Sequence, residues 1–307
     1  MVESAFIFPG QGAQYIGMGR EIYEKYKTAR DIFEEANSCL DFDLIKVCFE
    51  GPMEVLSRTD ISQPAILAVS IASLRVFQEN NPDVLPFASA GLSLGEYSAL
   101  VCSGSLKFKD AVKLVRKRGL YMEEASRRNQ GKMLSIIGLE RDKVEEICRE
   151  CRTEIANLNC PGQIVVSGSN ENIEQAAKVA KEKKAKMAVI LDVSGPFHSS
   201  FMKEAAVSLE KELKDVEISV PSISVVSNVT AAYESRPDEI RENLIKQVYV
   251  TVNWQDSMGC LIKDGIMNFF EIGPGKVLKG LMRRINSSVS VINIETVEDI
   301  EKVSGKI

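Results

Sequence analysis

One histidine, one tryptophan, no uncharged run longer than 16 residues, and no Gly-, Ser- or Pro-rich linker are the scarcities of this 307-residue chain. Spanning a bilayer takes about 20 consecutive apolar residues, and the three 16-residue uncharged runs carry Gly or Pro and polar residues, so no membrane association is expected. Acid exceeds base only slightly, 43 Asp and Glu against 38 Lys and Arg for a net charge of −5, which removes the global electrostatic case for nucleic acid as a partner. Seven cysteines, an odd number without regular spacing, suit a reducing compartment better than a disulfide framework, so the expected location is cytoplasmic. The start, Met1-Val2-Glu3-Ser4, has no basic region before its apolar residues, and Pro9-Gly10 interrupts them, so no leader is expected. Cys148 and Cys151 form a CxxC pair with Cys160 beyond, but no fourth Cys or His lies nearby to complete a zinc site. They read as packing thiols, and no metal is expected. The scarcity of histidine has the sharpest consequence: any chemistry that needs an imidazole must use His198.

Hydrophobic residues at 45% and charged residues at 26% describe a globular chain with material for a large core, as two domains or one with an insertion. Ala5-Phe6-Ile7-Phe8 reads as a buried strand ending at the turn Pro9-Gly10-Gln11-Gly12. Helical periodicity covers 19–40 and 66–77, a strand covers 86–90 with a helix over 96–101, and a helix with a basic exposed face covers 109–125. The rhythm then changes. Strands at 133–138, 154–158, 164–167 and 185–191, with helices at 142–151 and 171–183, give the order β-α-β-β-α-β, which is the ferredoxin-like pattern. Strands at 220–229 and 266–272, a helix at 276–285 and an edge strand at 289–294 close the chain. The expected architecture is therefore an α/β layered fold, 1–130 with 195–307, holding an inserted small subdomain at 131–194.

Gly91-Leu92-Ser93-Leu94-Gly95 matches the GxSxG nucleophile elbow. That chemistry asks for a serine on a strained strand-to-helix turn, with small neighbours letting backbone pass close by. The N–H of Leu94 would then be free to donate to an oxyanion. The bland alternative is a tight glycine turn with a surface serine. A lone histidine is ordinarily a surface or satisfied core residue; beside a candidate nucleophilic serine, which at pH 7 needs an adjacent base, His198 in Ser194-Gly195-Pro196-Phe197-His198-Ser199 becomes the expected base.

Phe8-Pro9-Gly10-Gln11-Gly12-Ala13-Gln14, Gly91-Leu92-Ser93-Leu94-Gly95-Glu96, Arg118-Gly119, Pro196-Phe197-His198-Ser199 and Gly273-Pro274-Gly275 occur in an order that resembles the malonyl-CoA:acyl-carrier-protein transacylases over essentially the whole chain. The resemblance implies a hydrolase-like α/β core with a ferredoxin-like insertion. It also implies a Ser93–His198 dyad that moves a malonyl group from malonyl-CoA to the phosphopantetheine thiol of acyl carrier protein in a ping-pong reaction. By position it assigns the oxyanion to the N–H groups of Gln11 and Leu94, the malonyl carboxylate to Arg118, and histidine orientation to the backbone carbonyl of Gln247. No permanently bound cofactor is implied; the phosphopantetheine arrives on the partner protein. The family usually has histidine where this chain has Leu92, which bears on the shape of the acyl pocket. Fatty acid biosynthesis is the expected pathway, the alternatives being a malonyltransferase acting in trans on a polyketide synthase and a serine thioesterase. A thioesterase would place its histidine late in the chain, whereas more than 100 residues follow His198. From 107 to 132 nine Lys or Arg stand against three Asp or Glu, which reads either as a solvated helix face or as a docking surface for an acidic carrier protein.

Overall fold

The computed structural model describes residues 3–304; Met1 and Val2, where the segment read for a leader begins, lie outside them, as do residues 305–307. In chain order the strands are β1 (Ser4–Phe8), β2 (Pro86–Gly91), β3 (Gly131–Ile137), β4 (Glu154–Cys160), β5 (Gln163–Ser169), β6 (Met187–Ile190), β7 (Ser224–Val226), β8 (Tyr233–Glu234), β9 (Asn268–Ile272) and β10 (Ser290–Ile294). Six form one sheet in the order β10-β9-β1-β2-β7-β8, parallel except for β8. The other four form an antiparallel sheet in the order β4-β5-β3-β6.

The continuous apolar run of β1 follows from its place at the middle of the parallel sheet, with both faces covered. Phe6 and Phe8 point into one core, Ala5 and Ile7 into the other. The small sheet has its own core, where Leu134, Ile136 and Val166 meet Ile147, Cys151 and Ile173 of its two helices. Cys151 is buried there and Cys148 packs against the same core, while burial raises both thiols above their ordinary value.

The helix expected over 66–77 runs from Thr59 to Asn80. Its first turns are buried on all sides, so no polar stripe marks them. Pro64 has no N–H to offer the Asp60 carbonyl four residues back; that carbonyl accepts instead from Arg116 Nη1 at 2.9 Å. This is also the one helix among the described residues long and apolar enough to cross a bilayer, and 94% of its apolar window is buried inside the protein.

Several expected elements are corrected. The periodicity over 19–40 belongs to two helices, Arg20–Lys25 and Lys27–Ser38, separated by an extended Tyr26; a shared buried face conceals the break. The strand expected over 220–229 shrinks to β7, because the Ser222 N–H is taken by the Ser103 carbonyl and the chain turns back after Ser227 into β8. The edge strand β10 does not close the chain, since the helix Val297–Ser304 follows it. The helix expected over 109–125 spans Phe108–Arg128. In the basic stretch around it, Lys107, Lys109, Arg116, Lys117, Arg127 and Arg128 all form ion pairs with acids of this chain. Arg118 is buried.

Candidate active site

The turns 9–12, 92–95 and 273–275 follow the C-terminal ends of β1, β2 and β9, three adjacent parallel strands, and open α/β sheets place their ligand sites at such ends. The turns touch. A Cβ on Gly10 would sit 2.4 Å from the Leu92 carbonyl oxygen, and one on Gly95 would sit 2.1 Å from that of Phe8, so only glycine lets these backbones meet.

Ser93 heads the helix Gly95–Cys102 with φ 51, in the left-handed region that costs a non-glycine residue roughly 1–2 kcal/mol. Asn228 clamps this conformation from outside. Its Oδ1 accepts the Ser93 N–H at 2.6 Å and its Nδ2 donates to the Gly91 carbonyl at 2.7 Å. The held turn aims Ser93 Oγ at His198 Nε2, 2.8 Å away.

His198 also has a positive φ, 54, in the loop that leaves the small sheet. Ser167 of β5 donates to the Phe197 carbonyl at 2.6 Å, so the small sheet carries the imidazole to the elbow. Its Nδ1 lies 2.7 Å from the Gln247 backbone oxygen. A carbonyl only accepts, so Nδ1 holds the proton and Nε2 is left as the acceptor facing Ser93. Burial, then the nearby Arg118 charge, lowers the His198 pKa to about 3, against the raising effect of the Gln247 carbonyl.

Arg118 is 2% exposed. Nη1 donates to Gln63 Oε1 at 2.7 Å, and Nη2 donates to Gln247 Oε1 at 2.9 Å and to Ser93 Oγ at 3.1 Å. Burial disfavours the charge, which among the described residues is met by amides, a hydroxyl and the Tyr97 ring at 5.6 Å rather than by a carboxylate in contact. Among the described residues, neither Gln11 nor Leu94 spends its backbone N–H on an acceptor. Both line the cleft of about 400 Å³ that holds Ser93, Arg118 and His198. The cleft lies between the two sheets, with Asn157, Gln163 and Val165 of the small sheet forming its far wall. Leu92 lines it too, adding apolar surface beside Ser93.

All six residues singled out from the sequence thus meet at one cleft, Gln247 through its carbonyl against His198. Sequence reasoning missed Gln63, Asn228 and the side chain of Gln247, which respectively bind the guanidinium, clamp the elbow, and bridge Arg118 to the Ser93 carbonyl. Single amides carry no spacing signal that could have revealed them.

A serine on a strand-to-helix elbow, hydrogen-bonded to a histidine above a parallel α/β sheet, defines the class of α/β acyl-transfer enzymes. The model of the acyl transferase domain matches residues 5–299. The chain belongs to that family, among the malonyl-CoA:acyl-carrier-protein transacylases. It is 45% identical over 306 residues to the malonyl CoA-acyl carrier protein transacylase of Bacillus subtilis, covering 98% of this chain and 96% of that one. Among solved structures, it matches an acyl carrier protein S-malonyltransferase from Vibrio cholerae with a TM-score of 0.95 at 39% identity, covering 98% and 99% of the two chains. A malonyl-transacylase in complex with its type II polyketide-synthase acyl-carrier protein matches with a TM-score of 0.96 at 38% identity, covering 99% and 100%.

Proposed function

We propose that this protein transfers a malonyl group from malonyl-CoA to the phosphopantetheine thiol of an acyl carrier protein, through an ester on Ser93. The observation that carries the reading is a buried guanidinium with no carboxylate in contact among the described residues, 3.1 Å from the hydroxyl of an elbow serine that is itself 2.8 Å from a histidine. A malonyl group supplies the missing carboxylate, and the fork of Arg118 suits it as a lysine would not.

In the first half-reaction His198 Nε2 takes the Ser93 proton as Oγ bonds to the thioester carbon. The N–H groups of Gln11 and Leu94 hold the resulting oxyanion. Collapse breaks the carbon–sulfur bond, and the imidazolium, steadied by the Gln247 carbonyl, returns its proton to the coenzyme A thiolate. In the second half the phosphopantetheine thiol gives its proton to His198 and attacks the ester; the carbon–oxygen bond breaks and Ser93 recovers its proton. No resident cofactor takes part. The small unit, 131–194, is read as a ferredoxin-like subdomain inserted into a hydrolase-like core of 1–130 and 195–307; the sheet order β4-β5-β3-β6 and its separate core support this. Fatty acid biosynthesis in the cytoplasm is the proposed setting, and the likeness to a malonyl-transacylase solved in complex with a type II polyketide-synthase acyl-carrier protein supports the second reading, supply of a polyketide carrier.

The test is intact mass after incubation with malonyl-CoA. Wild type should gain one malonyl group and lose it to holo-acyl carrier protein, while Ser93→Ala should gain none. A Ser93→Ala protein labelled at the wild-type rate refutes the proposal.

A further inference from the structure

Behind the elbow lies a carboxyl group for which the reaction above has no role. Glu96 sits on the helix that Ser93 heads, three residues after it, and is fully buried. Its Oε2 accepts from Gln247 Nε2 at 2.5 Å and from the Asn228 backbone N–H at 3.3 Å. Those two residues are the ones that handle the reacting groups. Asn228 clamps the elbow on both sides of Leu92, through the Ser93 N–H and the Gly91 carbonyl. Gln247 touches His198 through its backbone oxygen, Arg118 through Oε1, and the Ser93 carbonyl through Nε2.

We propose that Glu96 is a positioning residue for acyl transfer: one carboxyl oxygen fixes the direction of the Gln247 amide and the seat of Asn228, and through them the aim of Arg118 and the shape of the elbow. An amide is asymmetric. Reversed, the Gln247 side chain would set its N–H₂ against the Arg118 guanidinium and its oxygen against the Ser93 carbonyl and Glu96, replacing every hydrogen bond with a like-to-like clash. Oε2 performs this role whether or not the group is ionised. Burial, and then the neighbouring Glu234 carboxyl, raise the Glu96 pKa well above its ordinary value. Oε1 of each of these two carboxyls has no hydrogen-bond partner among the described residues. Since acceptance matters and charge does not, glutamine is a competent replacement and an apolar side chain is not.

The inference rests on the transfer reaction proposed above, so its variants are scored against a wild type that takes up malonyl from malonyl-CoA; a wild type that takes up none sinks the transfer reaction itself. The measurement is kcat/KM for malonyl-CoA and for acetyl-CoA in Glu96→Gln and Glu96→Met, with thermal melting to establish folding. Glu96→Gln should stay within about threefold of wild type for both substrates, because an acceptor of the same shape remains. Glu96→Met strands two buried donors, and malonyl transfer should fall roughly 10- to 100-fold. Acetyl transfer should fall less, since it needs the elbow but not the aim of Arg118. If Glu96→Met does not fold, Gln247→Leu, which keeps the backbone carbonyl for His198, must lower the malonyl-to-acetyl ratio in its place. A folded Glu96→Met enzyme with the wild-type ratio, a Gln247→Leu enzyme with that ratio, or a Glu96→Gln enzyme as impaired as Glu96→Met overturns the proposal.

Discussion

Removing the Arg118 side chain is the most informative single perturbation, because its cost divides into a part common to every substrate and a part specific to a dicarboxylic one. The common part comes from Gln63 Oε1, Gln247 Oε1 and Ser93 Oγ, which lose donors at 2.7, 2.9 and 3.1 Å in Arg118→Ala whatever acyl group is offered. The specific part is the ion pair proposed with the malonyl carboxylate, inside a cleft where Arg118 is only 2% exposed. Truncating one partner of a buried, hydrogen-bonded charge pair costs about 2–5 kcal/mol. At about 1.36 kcal/mol per tenfold, that is a loss of roughly 30- to 5000-fold in malonyl transfer beyond any loss shared with acetyl transfer. The assay is therefore the ratio of kcat/KM for malonyl-CoA to that for acetyl-CoA, in wild type, Arg118→Ala and Arg118→Lys. The lysine variant keeps the charge without the planar fork and should fall between the other two. If both substrates lose the same factor in Arg118→Ala, the guanidinium is only a structural cross-brace and the carboxylate is recognised elsewhere.

His198 should remain a neutral base well below pH 6.5, because its pKa is lowered to about 3; the acid limb of kcat/KM should accordingly fall below that of a free imidazole. The same shift gives stability that is fully present above about pH 6.5 and lost as pH falls towards 3, since the unfolded chain takes up a proton that the folded one refuses; melting temperature against pH should fall less steeply in His198→Gln, and identical slopes would contradict this. Asn228→Ala strands the Ser93 N–H and the Gly91 carbonyl, each about 1–3 kcal/mol when left unmade, so kcat should drop roughly 10- to 100-fold with KM little changed, and a normal kcat would show the clamp to be dispensable. Gly95→Ala forces a Cβ to within 2.1 Å of the Phe8 carbonyl oxygen and should lower stability by about 1–3 kcal/mol or more, read as a lower urea midpoint.

The strand ends, the elbow and the Ser93–His198 pair are legible in the amino-acid sequence because they are local or scarce. An apolar run ending in Pro9-Gly10 or Gly91 is a strand and a turn in its own right, and the strand–turn–helix around Ser93 declares itself within the single segment Pro86–Cys102. The scarcity of histidine does the rest, leaving His198 as the one imidazole for Ser93. What the sequence cannot decide is which polar residues lose their water. Arg118 is one of nine basic residues between 107 and 132, and no periodicity separates it from Arg116 or Lys117; the packing of Phe108–Arg128 against Thr59–Asn80 buries it beside Gln63, sets Arg116 on the buried Asp60 and leaves Lys117 exposed. Glu96, Asn228 and Gln247 come from three separate segments, and each is an ordinary polar residue in its own surroundings along the chain. They become one network only when the parallel sheet brings β2 and β7 side by side and the small sheet returns the chain at His198. Motif and period are written along the chain, whereas burial and hydrogen-bond partnership are set by residues far apart in it, so the Ser93–His198 pair is readable and the scaffold that holds it is not.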